Sequence, residues 1–346
     1  MTMRKIAAWR TTRFLALAGI CTVGMAFPRI ALATEKLPGD GITVRAGYTV
    51  GLLEERFQNQ VVELGLEKLG YKMANMVQMD VPALHLAVGQ GDLDFIAAHW
   101  DPLQQAFFVR AGGTDKVTMV GSLVENCLQG YLIDKKTYDE KNIHSIDQLQ
   151  DPEVAKLFDA DGDGKADLAG CPPGWGCERV VENHMDAYKL RKTVVHHQGQ
   201  FDVMAADTVA RFKAGQRVLY YTYTPNWISQ ELVPGKDVEW LSVPFTSLPD
   251  KDQMDLPTKL PDGRNTGFPV NAMRIMANND FLQKNPAAKK LFELMVIPVA
   301  DVNAENLKLH DGETAYEDIR HDAEAWVTKN QTQFDDWIAQ ATKAGG

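Results

Sequence analysis

Between Gly41 and Ala98 the sequence switches repeatedly from a β rhythm to a helical one. Gly41 to Ala46 reads as a strand, and Leu53, Phe57, Val61 and Leu64 then recur on one face of a helix expected over Gly51 to Leu69, with Gly70 as its stop. A second strand is expected from Tyr71 and a short helix over Ala83 to Val88. The run Leu93 to Ala98 follows as a third strand, carrying Trp100 at its carboxyl end. Strand, helix, strand, helix, strand with short connections means an open α/β sheet, whose ligands lie beyond the carboxyl ends of the strands.

The rhythm returns further on. Cys127 to Ile133, Val218 to Tyr223 and Trp240 to Pro244 read as strands, while Ser145 to Leu157 and Val180 to Leu190 read as helical. Gly267 to Met276 carries the chain back, and Asn285-Pro286 opens a helix through Met295 with Pro at the favoured first position. From Glu313 the tail is helical, with Ile319, Ala323, Trp326 and Val327 on one side, and Phe334, Trp337 and Ile338 extend it as core residues. Two lobes require two crossings, near Gly121 to Gln129 and near Arg264 to Asn271. The expected division is residues 34–122 with 270–346 in one lobe and 123–269 in the other.

Residues 1–33 have a different character. Arg4, Lys5, Arg10 and Arg13 precede an uncharged, largely apolar run from Phe14 to Phe27, and Ala31-Leu32-Ala33 offers a small-x-small cleavage pattern. This order is that of a secretory signal peptide, and the run is shorter than the roughly 20 residues a membrane span needs. Cys21 raises the alternative of a lipid anchor, but Ile20 rather than a small residue precedes it. Cleavage after Ala33 removes five basic residues and no acidic one, taking the formal net charge from -10 to -15. An acidic surface of that size disfavours nucleic acid and anionic lipid as partners. Cys127, Cys171 and Cys177 remain. The last two enclose Pro172-Pro173-Gly174-Trp175-Gly176, which suits either a short-loop disulfide in an oxidising compartment or two buried free thiols.

Three aromatic sites fall where the chain changes direction: Trp100 in Ala98-His99-Trp100-Asp101-Pro102, Trp175 within the Cys171–Cys177 loop, and Tyr223 before Thr224-Pro225. Rings at strand ends and in Gly/Pro loops are not fixed there by periodic core burial. Converging, they can form a box for a methylated cation, which donates no conventional hydrogen bond and is held by cation–π attraction and methyl packing.

Across nearly the whole chain after residue 33, the sequence resembles the glycine betaine/proline-binding proteins of osmoprotective ABC importers. The resemblance is carried by Phe95 to Leu103, Gln129 to Lys136, Leu157 to Asp159, Gly164 to Leu168 and Cys171 to Glu178. Pro234 to Val238 and Leu307 to Gly312 add to it. It implies a monomeric, periplasmic, two-lobed α/β receptor of the type II class with ligand in the cleft between lobes, which delivers its solute to a separate ABC permease. It also implies a box for the trimethylammonium group at Trp100, Trp175 and Tyr223, backbone N–H donors at Gly176 and Cys177 for the ligand carboxylate, and a Cys171–Cys177 disulfide. Two positions depart from the family pattern: Gln104 stands in place of a carboxylate-binding His, and Tyr223 in place of a Trp. These departures leave betaine, proline betaine, choline and related osmolytes open.

One loop has metal spacing. Asp159, Asp161, Asp163, Lys165 and Asp167 occupy positions one, three, five, seven and nine of an EF-hand-type calcium loop, with Gly164 at six. Position twelve, however, is Gly170 rather than Glu, so structural calcium is weighed against a charged surface turn. No other cofactor is expected. The histidines do not have the spacing of a metal site, no Gly-x-Ser-x-Gly elbow occurs, and Cys177 lacks a general base, which argues against an enzyme. A secreted adhesion module displaying aromatics is the remaining rival, and it predicts little affinity for free osmolytes.

Overall fold

The computed structural model describes residues 36–346 apart from Gly51, Leu53 and Pro261; the expected signal peptide and Cys21 lie outside the described residues. The strands are β1 (Thr43–Val44), β2 (Ala46–Thr49), β3 (Lys72–Met73), β4 (Val77–Met79), β5 (Phe95–Asp101), β6 (Val117–Cys127), β7 (Gln129–Asp134), β8 (Ala166–Ala169), β9 (Val194–His197), β10 (Leu219–Tyr223), β11 (Val238–Trp240) and β12 (Asn271–Asn278). They form two five-stranded sheets, ordered β4-β2-β5-β12-β6 and β11-β7-β10-β8-β9, with β1 and β3 pairing separately. The first sheet, with the helices from 279 onward, forms one lobe; the second sheet and its helices form the other.

Each sheet mixes directions. β2 pairs in parallel with β4 and β5, as a βαβ crossover requires, while β12 runs antiparallel to both β5 and β6. In the second sheet β8 is parallel to β9 and β10, and β7 is antiparallel to β10 and β11. The chain's return to the first lobe enters as its one antiparallel strand, β12.

Where residues 127–133 read as one strand, the structure has two. β6 stays in the first sheet until Cys127 pairs with Asn271, and β7 begins at Gln129 in the second. Residues 123–127, expected in the second lobe, therefore belong to the first sheet, because β12 holds β6 to its last residue. The helix expected over Ser145–Leu157 is likewise broken into Ile146–Gln150, Pro152–Ala155 and Lys156–Phe158. Pro152 disfavours the helical region for the residue before it, and Asp151 is extended at φ -76° and ψ 118°.

The core runs through both lobes. Helix Glu55–Lys68 buries Phe57, Val61, Val62, Leu64 and Leu66, and the tail helices bury Ile319, Ala323, Phe334 and Trp337 as expected. Trp326 and Trp337 stack at 6.5 Å, so these tryptophans are structural. A smaller cluster of Leu84, Val88, Leu93, Ile96, Phe108 and Met276 packs beneath helix Val81–Gln90. No helix among the described residues is long and apolar enough to cross a membrane.

Candidate functional site

Two strand ends and one helix start converge between the lobes. Trp100 is the penultimate residue of β5 and Tyr223 the last of β10; both are buried. Their ring centroids lie 5.4 Å apart at 90°. Trp175 immediately precedes helix Gly176–Ala187, half-buried, with its centroid 6.0 Å from Tyr223. Phe201 backs the group, 4.9 Å from Tyr223 and stacked 6.0 Å from Trp175. Trp100, Trp175 and Tyr223, with Leu52, Val81, Leu103 and Tyr221, line a pocket enclosing about 370 Å³ of free space, its mouth included.

The polar end of the pocket is the start of helix Gly176–Ala187. Gly176 and Cys177 line the pocket as the first two helical residues, where backbone N–H groups have no intrahelical acceptor. A helix N-terminus attracts anions through these donors and its dipole. Cys177 is joined to Cys171 by a disulfide with Cα atoms 5.9 Å apart, which ties the helix start to the end of β8. His196 accepts from the Cys171 N–H at 3.0 Å and turns its other ring nitrogen to Glu182 at 2.6 Å, bracing the same loop.

The approach between lobes is tight. A Cβ on Gly176 would lie 2.7 Å from Leu103 Cγ and 3.0 Å from the Leu103 carbonyl oxygen, so only glycine permits this contact. Tyr223 donates its hydroxyl to Glu54 Oε1 at 3.1 Å, and the Asn226 side-chain amide donates to the same oxygen. The Asn226 N–H donates to Asn303 Oδ1 at 3.0 Å, and Trp227 stacks on His310 at 3.6 Å. Each contact joins one lobe to the other.

Among the described residues, none of the pocket-lining side chains is Lys, Arg or His. One is acidic. Glu55 accepts the Thr49 N–H at 2.7 Å and its hydroxyl at 3.0 Å, yet burial outweighs these bonds and pushes its carboxyl up to about 7. Beside it, burial and the nearby charge of Asp202 push Glu54 up to about 8. An electron-rich ring cluster with buried carboxyl groups behind it suits a cation that needs no hydrogen bond. The helix start suits an anion a short distance away.

Residues 43–329 match the family described as the substrate-binding domain of ABC-type glycine betaine transport systems. The chain belongs to that family. Its members are binding components of transport systems rather than enzymes. The glycine betaine-binding periplasmic protein OusX of Dickeya dadantii (strain 3937) is 47% identical over 330 residues, covering 95% of this chain and 97% of its own. The glycine betaine/proline betaine-binding periplasmic protein of Escherichia coli (strain K12) is 48% identical over 308 residues, 89% of this chain and 92% of its own. Among solved structures, an ABC-transporter choline binding protein in complex with choline superposes with a TM-score of 0.66 at 19% identity, covering 88% of this chain and 96% of that one. Lactococcal OpuAC, closed and complexed with glycine betaine, gives 0.63 at 16% identity, covering 86% of this chain and 99% of that one. These distant likenesses establish the fold: a two-lobed α/β substrate-binding protein of type II architecture.

In this substrate-binding domain all six residues singled out from the sequence, Trp100, Gln104, Trp175, Gly176, Cys177 and Tyr223, line one pocket. Gln104 is buried, and its Oε1 accepts the Trp100 N–H at 3.0 Å. His99, next to Trp100, does not reach the pocket. It bonds His85 at 2.9 Å, and burial holds its imidazole well below the usual range. Sequence reasoning passed over Glu54 and Glu55, and over Phe201, Tyr221 and Gln129. A buried amide at the mouth of a crossing leaves no periodic signal; only the three-dimensional pairing of β7 with β10 reveals it.

The acidic loop is only partly gathered. Asp159, Asp161 and Asp163 bring one ligand atom each within 4.8 Å of one another, and Asp161, Asp167 and His197 form a second such group. His197 joins where no histidine was expected to ligate. These clusters can coordinate a cation. Their carboxylates already accept backbone N–H bonds within the loop, as from Gly162 and Gly164 to Asp159.

Proposed function

We propose that this protein captures glycine betaine, or a closely related quaternary-ammonium zwitterion, outside the cytoplasm and delivers it to the permease of an ABC importer. The observation that carries the reading is the convergence of Trp100, Trp175 and Tyr223 from both lobes beside the free N–H groups of Gly176 and Cys177. Close relatives named as periplasmic betaine-binding proteins, matched over nearly their whole length, support the same solute and compartment. The signal-peptide pattern of residues 1–33 supports export.

In this reading the rings receive the trimethylammonium group. Each cation–π contact is worth about 0.5–2 kcal/mol, more when water is excluded. Gly176, Cys177 and the Gln104 amide receive the carboxylate. Binding is the whole chemistry. The lobes, 34–122 with 270–346 and 123–269 to within a few residues, close over the solute by motion at the crossings around Leu128 and between Phe268 and Asn271, and the closed surface is what the permease meets. The protein works as a monomer. Calcium in the Asp159–Gly170 loop is a subsidiary proposal. It requires a rise in melting temperature on adding calcium that EDTA reverses and magnesium does not reproduce.

Quenching or blue shift of tryptophan emission during titration of ligand-stripped protein tests the assignment. Saturable changes with glycine betaine, absent with glycine, support a site for the methylated cation. Equal responses to both would sink it.

A further inference from the structure

Gln129 opens β7 one residue after the chain leaves the first sheet, and it sits directly opposite Tyr223 in the antiparallel β7–β10 pair. Paired residues project to the same face of a sheet, so Gln129 shares the pocket face with Tyr223 and with Tyr221 two residues earlier. The Tyr221 hydroxyl donates to Gln129 Oε1 at 2.6 Å, which fixes the amide and leaves Nε2 as its free end. Nε2 is buried and has no hydrogen-bond partner, although the residue is only 2% exposed. Of the described residues with a buried, unpartnered side-chain polar atom, Gln129 alone lines the pocket.

Leaving an amide donor unpaired in the interior is costly, and a carboxylate pairs it more strongly than a hydroxyl, which offers only a neutral acceptor. No cationic side chain among the described residues lines this pocket. Neutral donors must therefore serve any anionic group that enters. We propose that Gln129 Nε2 is a further donor to the anionic end of the ligand and a determinant of selectivity for a zwitterion over an alcohol with the same cationic head. This rests on the quaternary-ammonium reading above and goes beyond it by assigning a residue outside the expected set. Tyr221 is a positioning residue: its hydroxyl holds Oε1 so that Nε2 is the end presented to the ligand.

The test compares glycine betaine with choline, which share the trimethylammonium group and differ in carboxylate against hydroxyl, by calorimetric titration of wild type and Gln129→Met. Loss of one hydrogen bond to a charged group predicts betaine binding weakened by about tenfold or more, with choline changed by no more than about twofold. An unchanged betaine-to-choline ratio, whether both ligands weaken or neither does, overturns the assignment while leaving the receptor reading intact. Wild type that binds neither ligand overturns both. Should Gln129→Met fail to fold, a crystal structure of the wild type with betaine decides: Nε2 within about 3.2 Å of a carboxylate oxygen is expected. Nε2 on water, or on nothing, overturns it.

Discussion

The hydroxyl of Tyr223, on the last residue of one lobe's central strand, donates to Glu54 Oε1 of the other lobe at 3.1 Å. One side chain thus presents a ring to the pocket and latches the two lobes together. Replacing Tyr223 by Phe keeps the ring and removes the latch, so betaine affinity should fall about two- to tenfold, the worth of a single hydrogen bond. Tyr223→Leu removes both and should cost distinctly more. Titration of the two variants side by side checks the order; equal losses would mean the ring contributes nothing.

Glu54 gives the protein a pH signature. In the folded state its carboxyl sits at about 8 against an ordinary 4.5, and Glu55 at about 7, so between those values the native protein holds protons that the unfolded chain releases. Stability from these groups is complete below about 4.5 and is lost as pH rises through the folded values. His85 and His184 act in the opposite sense: burial holds them at about 4 and 3, and stability falls as pH drops below about 6.5. Glu54→Gln should flatten the decline between pH 6.5 and 8 in urea denaturation. A variant with the wild-type slope would show that Glu54 is ionised when folded.

Gly176 faces Leu103 across the cleft with no room for a methyl group. Gly176→Ala should leave the unliganded protein folded, since its helix gains a better former, but hold the lobes apart at a cost of about 1–3 kcal/mol in the closed state. The expected result is ligand affinity reduced about fivefold or more with an unchanged or higher melting temperature without ligand. Undiminished affinity would mean that closure does not bring these residues together.

The Cys171–Cys177 disulfide closes a short loop that fixes the donors at Gly176 and Cys177. Cys171→Ser with Cys177→Ser should lose about 2 kcal/mol of stability by loop entropy, and should also weaken betaine binding because the helix start is no longer held. Denaturant melts and titrations of this variant separate the two effects. Full affinity in a destabilised protein would confine the disulfide to a structural role.

How legible was this in the sequence? The α/β alternation, the strand ends bearing Trp100 and Tyr223 and the amphipathic tail helices were, because each depends on local periodicity or on residues that break it. Leu128 was not. It lies inside an uninterrupted β-forming run, and nothing local records that its neighbours pair with β12 on one side and β10 on the other. Pro152 did carry a signal, yet the apolar spacing from Ser145 to Leu157 masked it. Part of the polar lining, beyond Gln104, Gly176 and Cys177, was hidden for a different reason. Glu54, Glu55 and Gln129 are polar residues with no motif around them, and the folded chain buries all three.

The central claim is that the three rings bind a methylated cation, and calorimetric titration of ligand-stripped protein with glycine betaine, beside proline betaine, choline and proline, tests it most directly. The account predicts saturable 1:1 binding of betaine, weakened about tenfold or more by Trp175→Ala as an interfacial aromatic anchor is removed. Silence with all four compounds from folded protein, or undiminished binding by Trp175→Ala, would contradict it.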